Sequence, residues 1–389
     1  MIKYMHYMKN SMKKKKLSLI ILFFLLLVLI TGLVIYYFSL KKLDKMVLDV
    51  TPKIKQEETI ENEKKEDNIE KQIVSETSLF IPYWMIGNGV SGVDNYDRLF
   101  YFGIGVNNNG IDKSDPGYQK LNVFSSNTKP SQEKYLTIRM INTEASVLRD
   151  KDILQKIITD SVDIASENGF SGIALDLEVS IILTENMQTN INRFVKDFYL
   201  SSKENNLKLI FIVYGDVFYR NRGYDMKSIG DNSDEIMIMA YDFHKSIGSP
   251  GPNFPLDYNK EYGYSFKSMI DDFLQIIPKE KINIVFGMYG YDWQVNEKKI
   301  PVKQAEALTL NEIKAEFLNT CKWEECIVTR DITSSETEIN YIEQAQYEGE
   351  SVLKYHIIWF EDEESVDKKT EFLKEKEIGS ISYWAYGYF

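Results

Sequence analysis

Short apolar runs alternate with amphipathic stretches along the chain from Leu79 to Phe389. Eight of these runs are rich in β-branched, aromatic and aliphatic residues, as buried strands are. They cover residues 79–84, 98–106, 135–141, 171–178, 207–215, 235–242, 282–290 and 379–387. Helical patterns lie between many of them, at 150–168, 186–204, 264–277 and 363–377. Near-continuous apolar strands separated by helices predict an α/β fold, a (β/α)₈ TIM barrel, over residues 79–389.

The structural alternative is a doubly wound open sheet, but no glycine-rich phosphate loop follows the first strand.

One connection departs from the repeating pattern, because residues 291–378 separate the seventh and eighth strands. This length predicts a small α+β insertion at about 294–355. Insertions of this kind lie on the C-terminal rim of a barrel, so we expect it to form one wall of a substrate cleft.

The N-terminal region has a different pattern. Residues 17–40 form 24 consecutive uncharged, mostly apolar positions, which is long enough to span a bilayer. The run ends in bulky residues, so a retained anchor is favoured over a cleaved signal peptide. Residues 1–16 carry lysines and no acid, which predicts a cytoplasmic N-terminus and a domain outside the cell membrane. Residues 41–78 are highly charged and predict a flexible linker, with a short solvated helix as the alternative.

The charge and the numbers of cysteine and histidine limit the ligands that the protein can bind. Lys and Arg number 46 and Asp and Glu 58, so the net charge is −12, which argues against nucleic acid as a ligand. The two cysteines and three histidines are too few and too scattered for a structural zinc site. Cys321 and Cys326 are predicted either to form a local disulfide or to remain two free thiols. We expect a monomer without a metal ion.

Two carboxylates lie near the end of the fourth predicted strand. Side chains alternate along a strand, so Ala174, Asp176 and Glu178 share one face, which we expect to point into the barrel mouth. Burial and a neighbouring carboxylate raise a carboxyl pKa, which suits Glu178 to act as a general acid. The alternative is a structural pair that caps the following helix or forms an ion pair.

Polar and aromatic residues lie near the ends of other strands or follow them. Tyr241 and Asp242 end the sixth strand, and Trp384 lies near the end of the eighth. A sugar stacks its apolar face on tryptophan and needs hydrogen-bond partners for its hydroxyls, so a sugar site is predicted. Each aromatic residue could alternatively be ordinary core. The candidate substrate-binding residues are Trp384, Met239, Tyr83, Trp84, Tyr289, Trp293, Trp359 and Glu361.

These motifs together resemble glycoside hydrolase family 18, the chitinase-type barrels. The family pattern Asp-x-x-Asp-x-Asp-x-Glu corresponds here to Ser171-x-x-Ala174-x-Asp176-x-Glu178, so two of its three aspartates are replaced. The family's Met-x-Tyr-Asp motif and floor tryptophan correspond to Met239, Tyr241, Asp242 and Trp384. FGMYGYDW and HIIWFEDEESVDKK look more narrowly like the spore-cortex-lysing N-acetylglucosaminidases.

The resemblance implies hydrolysis of β-linked N-acetylglucosamine glycans, peptidoglycan or chitin-like, with retention and with the substrate's acetamido group as nucleophile. It implies that Glu178 is the acid, that Asp176 steadies the acetamido group, and that Tyr241 and Asp242 bind it. No cofactor is implied. Replacement by Ala174 removes a partner of Asp176, so the alternative is a catalytically impaired, lectin-like barrel at the cell envelope. The predicted partners are the glycan and, through 17–40, the lipid bilayer.

Overall fold

A computed structural model describes residues 76–389, apart from residues 88, 130–131, 142–144, 180–183, 221 and 348–349. The predicted cytoplasmic segment 1–16 and anchor 17–40, together with the linker up to residue 75, lie outside the described residues. In the part of the chain that is described, no helix has the length and apolar character needed to cross a membrane.

The strands of the described residues are numbered in chain order. They are β1 (Glu76–Pro82), β2 (Arg98–Asn107), β3 (Gly110–Ile111), β4 (Glu133–Ile141), β5 (Gly172–Glu178), β6 (Lys208–Tyr214), β7 (Glu235–Met239), β8 (Ile282–Gly287), β9 (Tyr289–Val295), β10 (Glu306–Thr309), β11 (Glu324–Arg330), β12 (Thr337–Tyr347), β13 (Glu350–Phe360) and β14 (Ser380–Trp384). The α-helices are α1 (Pro116–Asn127), α2 (Ala145–Arg149), α3 (Lys151–Glu167), α4 (Glu185–Glu204), α5 (Met226–Asp231), α6 (Phe266–Leu274), α7 (Leu310–Ile313) and α8 (Glu363–Glu375).

Eight parallel strands form a closed barrel. Their order is β1-β2-β4-β5-β6-β7-β8-β14, and the circle closes because β14 pairs with β1 from Glu76 opposite Ser380 to Leu79 opposite Tyr383. Helices connect many of these strands and bury their apolar faces against the barrel. Both faces of each strand are therefore covered, which explains the near-continuous apolar runs. The predicted barrel is confirmed.

The barrel interior is a separate apolar cluster. It contains Phe80, Phe100, Ala174, Ile210, Met237 and Val285, each buried and each from a different strand. Inward-pointing residues of neighbouring strands stack in layers, as in other eight-stranded barrels. These layers fill the barrel interior, so we expect a substrate cleft above them, at the C-terminal mouth.

A five-stranded antiparallel sheet separates β8 from β14. Its order is β10-β9-β13-β12-β11, and it extends from Tyr289 to Phe360, so it is wider than the predicted range 294–355. β9 begins two residues after β8 ends, so the chain leaves the barrel almost directly into this sheet. A disulfide links Cys321, in the connection before β11, to Cys326 within β11.

A buried ionic cluster joins this sheet to the barrel. Glu336, next to β12, accepts backbone hydrogen bonds from Asn253 and Phe254. The Lys369 ammonium on α8 donates to Glu336 at 2.9 Å and also to Glu361. Glu336, Glu361 and Lys369 are all fully buried. The inserted sheet is therefore attached to the barrel loop after β7 by hydrogen-bonded charges.

Candidate active site

A cavity of about 320 Å³ lies at the C-terminal mouth of the barrel. Its walls come from the ends of barrel strands and the loops that follow them. The lining residues are Phe80, Trp84, Phe102, Arg139, Ile141, Asp176, Glu178, Ile212, Tyr214, Met239, Tyr241, Asp242, Lys245, Tyr289 and Trp384. The C-terminal ends of barrel strands are where barrel enzymes hold their reactive groups.

The two acids of β5 point into this cavity, as their spacing predicts. Ala174 lies one layer lower, in the barrel interior. Asp176 is 2% exposed, and its Oδ1 has no hydrogen-bond partner among the described residues. Burial, together with the Glu178 carboxylate, raises the pKa of Asp176 well above its usual range, while the Arg139 guanidinium opposes the shift. Asp176 is thus a buried acid that lines the cavity and has one oxygen without a hydrogen-bond partner among the described residues.

Glu178 is held at the end of the strand by tyrosines. The Tyr214 hydroxyl, at the end of β6, donates a hydrogen bond to Glu178 Oε2. The Tyr224 hydroxyl donates to the Leu177 carbonyl at 2.8 Å and accepts from the Val179 amide at 3.1 Å. Backbone groups on both sides of Glu178 are therefore fixed, and its carboxyl is oriented from one side while the other side faces the cavity.

Asp242 is the centre of a second polar group. It accepts hydrogen bonds from the Tyr289 hydroxyl and, at 2.8 Å, from the Tyr291 hydroxyl. Its backbone has a φ of 58°, in the left-handed region, and its amide donates to Asn253 Oδ1 at 2.8 Å. An uncommon backbone conformation held by its surroundings is typical of functional sites. Asp242 lines the cavity in this conformation.

Tyr241 lies beside Asp242 and close to β8. A Cβ at Gly287 would come within 2.8 Å of the Tyr241 Cβ, so the tyrosine fits only because residue 287 has no side chain. Burial, then the Asp176 and Asp242 carboxylates, raise the pKa of the Tyr241 phenol. The phenol therefore remains protonated at neutral pH and is available as a hydrogen-bond donor.

An aromatic wall closes the opposite side of the cavity. The Trp384 ring packs edge-on against Phe102 at 4.7 Å and lies 5.8 Å from Phe80 and 6.0 Å from Trp84, between ring centroids. Trp84 is 43% exposed, an unusual exposure for so large an apolar side chain. Met239 also lines the cavity and belongs to the apolar cluster against which Tyr241 and Trp384 pack. A flat apolar face of this kind suits the ring of a sugar.

Trp384→Ala is expected to weaken oligosaccharide binding by about 1–3 kcal/mol, the free energy of burying a large apolar side chain. The indole is partly buried beside the cavity, so its removal takes away contact area that a ligand would cover. The measurement is calorimetric titration with chitooligosaccharides, together with thermal unfolding. Normal affinity with a loss of about 3–5 kcal/mol in stability would instead identify a core residue.

The structure does not bring every candidate to the cavity. Trp293 and Trp359 are 0% and 7% exposed and form the core of one face of the inserted sheet. Glu361 is fully buried against Lys369. Tyr83 does not line the cavity, and its ring lies 5.3 Å from the Arg139 guanidinium. Trp293, Trp359 and Glu361 do not line the cavity in the structure.

The buried cluster makes stability depend on pH. Two carboxyls share a single ammonium, and burial raises the pKa of Glu361 to about 8 from an ordinary 4.5. The folded state then holds a proton that the unfolded chain releases. This contribution is present below about pH 4.5 and is lost as the pH rises through about 8. We expect the melting temperature of the wild type to fall over this interval more than that of Glu361→Gln, which mimics the protonated form. Parallel curves would contradict the assignment.

Three polar or charged lining residues were missed by the sequence analysis. Arg139 lies near the end of β4, opposite Asp176 in the strand register, and pairs with Asp115 at 2.9 Å. Tyr214 ends β6, and Lys245 lies in the loop after β7. The first two lie at predicted strand ends, so applying the strand-end criterion to every strand would have found them. Nothing in the pattern of the sequence indicates Lys245.

The described residues contain no group of three or more histidine, cysteine, aspartate or glutamate side chains placed to hold a metal ion. The chemistry that the cavity offers is proton transfer and charge stabilisation. Glu178 can donate a proton, Asp176 can stabilise a nearby positive charge, and Tyr241 can donate a hydrogen bond. Together with the aromatic wall, these groups suit cleavage of a bond next to a sugar ring.

Curated proteins with similar sequences include lytic enzymes and glycosylases of Bacillus species. A cortical fragment-lytic enzyme of Bacillus anthracis is 27% identical over 248 residues, which cover 62% of this chain and 52% of that protein. The putative sporulation-specific glycosylase YdhD of Bacillus subtilis (strain 168) is 24% identical over 238 residues, covering 61% and 52%. The chain therefore spans about half the length of the curated relatives that it matches.

Solved structures show the same fold. The group IV chitinase of Ostrinia furnacalis has a TM-score of 0.66 at 17% identity and covers 80% of this chain and 92% of its own. The Bacillus cereus spore cortex-lytic enzyme SleL has a TM-score of 0.60 at 20% identity, covering 81% and 72%. Residues 124–388 match the family described as Glycosyl hydrolases family 18. Since this match covers more than half of the chain, the predicted resemblance is confirmed and the chain belongs to glycosyl hydrolase family 18.

Proposed function

We propose that this protein hydrolyses β-linked N-acetylglucosamine glycans, with bacterial cell-wall peptidoglycan as the favoured polymer. The observation that carries this proposal is the convergence of Asp176, Glu178, Tyr241 and Asp242 on one cavity with Trp384 as its aromatic wall. Family membership and the names of the relatives, which are cortical fragment-lytic enzymes and chitinases, support it. Chitin and related glycans share the same sugar and are the competing substrates.

In the proposed mechanism the substrate supplies its own nucleophile. Glu178 protonates the glycosidic oxygen while the carbonyl oxygen of the 2-acetamido group attacks the anomeric carbon, which gives a cyclic oxazolinium ion. Asp176 lines the cavity with Glu178 and, in its ionised form, stabilises that positive charge. Tyr241 donates a hydrogen bond to the acetamido oxygen. Glu178 then accepts a proton from a water molecule that attacks the anomeric carbon. This attack opens the oxazolinium ring, with overall retention at the anomeric carbon.

A second function is favoured by one specific observation. Residue 174 is alanine, and Asp176 Oδ1 lacks a hydrogen-bond partner among the described residues. An unsupported carboxylate is less well oriented, so turnover could have been lost while sugar binding through the aromatic wall was kept. The protein would then be a glycan-binding barrel of the cell envelope. Retention of the acid Glu178 with its tyrosine partner favours the hydrolase.

The test is to incubate the full chain, in mild detergent, with purified peptidoglycan and with chitooligosaccharides, and to analyse products by mass. The hydrolase predicts shortened glycans ending in N-acetylglucosamine, and glycans without the acetamido group should be inert. Retention is checked by recording the anomer first released by proton NMR. Tight binding without products from any glycan would assign the second function.

We also propose that residues 17–40 anchor the protein in the cell membrane with the barrel outside. The length of the apolar run supports this, and so does the Cys321–Cys326 disulfide, because disulfides persist in oxidising compartments. Protease added to intact cells is expected to remove the barrel, while a cytosolic marker protein survives. Protection of the barrel until the cells are lysed would contradict this topology.

A further inference from the structure

A second, open pocket of about 440 Å³ adjoins the cavity, on the side of the loop after β7. Its lining includes three cationic side chains, Arg220, Arg222 and Lys245, next to Phe243 and His244. No carboxylate lines it within the described residues. A basic pocket stands out on a chain whose net charge is −12.

The positive charge of this pocket is only partly neutralised. Arg220 and Arg222 both pair with the same carboxylate, Asp216, which is 3% exposed. Lys245 has no ion-pair partner in the described part of the chain, and its side chain is partly buried. Burial lowers the pKa of His244, which is therefore neutral at pH 7. Three cations facing one shared anion leave an excess of positive charge that an anionic ligand would match.

One tyrosine ring connects this pocket to the proposed general acid. The Arg222 guanidinium lies 3.8 Å from the centre of the Tyr214 ring, and the Lys245 ammonium lies 5.2 Å from it. The Tyr214 hydroxyl donates its hydrogen bond to Glu178. Lys245 lines both the cavity and the basic pocket. A glycan cleaved beside Glu178 would therefore bring its neighbouring sugar, or a substituent of that sugar, toward these cations.

We propose that the basic pocket binds a carboxylate carried by the glycan next to the cleaved bond. In peptidoglycan this carboxylate is that of the 3-O-lactyl group of N-acetylmuramic acid, or one on the peptide attached to it. Chitin carries no such charge, so the pocket gives a preference for peptidoglycan over chitin. This inference rests on the proposed glycan function and names the feature of the substrate that the protein recognises.

Hydrogen-bond donors are available for this role. Arg222 uses Nε and Nη2 for Asp216, and Arg220 uses Nη1 for Asp216 and Nη2 for the Phe243 carbonyl. Arg222 Nη1 and the Lys245 ammonium make no hydrogen bond among the described residues, so they are the donors that a carboxylate can use. Charge-assisted hydrogen bonds to lysine and arginine are among the stronger ones.

The test compares ligands that differ in charge. Binding of the disaccharide N-acetylglucosaminyl-N-acetylmuramic acid, of the same disaccharide carrying a dipeptide, and of chitobiose is measured by calorimetry. The protein is the full chain with Glu178→Gln, so that no ligand is cleaved. We expect an anionic disaccharide to bind about fivefold more tightly than chitobiose, which is the scale of a partly exposed ion pair. The advantage should shrink in high salt.

Two lysine positions distinguish an effect of the pocket on affinity from an effect of the protein's net charge. Lys245→Gln should remove most of the preference for the anionic ligand, and Lys245→Arg should retain it. Lys227→Gln is the matched control, because Lys227 is an exposed lysine paired with Asp231 on α5, and it should leave the preference unchanged. The two anionic ligands distinguish the lactyl carboxylate from those of the peptide.

The outcomes are distinct. Equal affinity for chitobiose and both anionic ligands would overturn the inference and leave the glycan function standing. An anion preference that Lys227→Gln reduces as much as Lys245→Gln would also overturn it, because the effect would then belong to net charge. Failure of every ligand to bind would overturn the proposed function, and this inference with it.

Discussion

Glu178→Gln is expected to lower glycan turnover by about 10²–10⁴-fold while leaving glycan affinity nearly unchanged, because general acid catalysis contributes a factor of that size. Glutamine keeps the shape of the side chain and can still accept the hydrogen bond from Tyr214, but it cannot donate a proton to the leaving oxygen. The measurement is product formation from chitooligosaccharides and peptidoglycan fragments, with affinity determined by calorimetry.

Tyr214→Phe is the matched comparison for this variant. It removes the hydroxyl that orients Glu178 but leaves the acid in place, so its loss of rate should be clearly smaller than that of Glu178→Gln. Turnover by Glu178→Gln equal to that of the wild type would exclude Glu178 as the general acid. If neither the wild type nor Glu178→Gln turns over a glycan and both bind it tightly, the protein has the glycan-binding function.

Lys369→Met is expected to lower the free energy of unfolding by about 3–5 kcal/mol, because it leaves two buried carboxyls without their cation. Lys369 is fully buried and donates to both Glu336 and Glu361. Methionine retains most of the length of the side chain, so the change removes charge with little change in packing. Urea-induced unfolding followed by circular dichroism is the measurement.

Lys368→Met is the control for that loss. Lys368 is the preceding residue on α8 and is about half exposed, so its replacement should change stability by no more than about 0.5 kcal/mol. Glu336 also accepts hydrogen bonds from the amides of Asn253 and Phe254, and the Asn253 side chain accepts one from the amide of Asp242. We therefore expect Lys369→Met to lower activity as well. Equal stability of the two variants would show that Glu336 and Glu361 are neutral without Lys369.

The barrel was predictable because its strands are buried on both faces. All eight predicted runs overlap the observed barrel strands, and only the ends differ. The seventh run, 282–290, is divided in the structure, where β8 ends at Gly287 and β9 begins at Tyr289 in the inserted sheet. An apolar run shows that residues are buried but not which sheet they pair with, so the change of sheet could not be seen.

The same limit applies to the candidate site. Asp176, Glu178, Tyr241, Asp242 and Trp384 were predicted from strand ends and do line the cavity. Trp293 and Trp359 are tryptophans that were predicted to bind a sugar as well, yet they form the core of one face of the inserted sheet. An aromatic side chain is equally suited to a second core and to a sugar platform, and only the tertiary structure distinguishes the two.

The five tryptophans are divided between the two parts of the described chain. Trp84 and Trp384 line the cavity, whereas Trp293, Trp323 and Trp359 belong to the region of the inserted sheet. Indole fluorescence depends on contact with solvent. A bound glycan should therefore shift the emission of the cavity pair to shorter wavelength, while unfolding of the inserted sheet should shift the other three to longer wavelength. The protein thus carries two intrinsic optical reporters, one for ligand and one for folding, that need no added label.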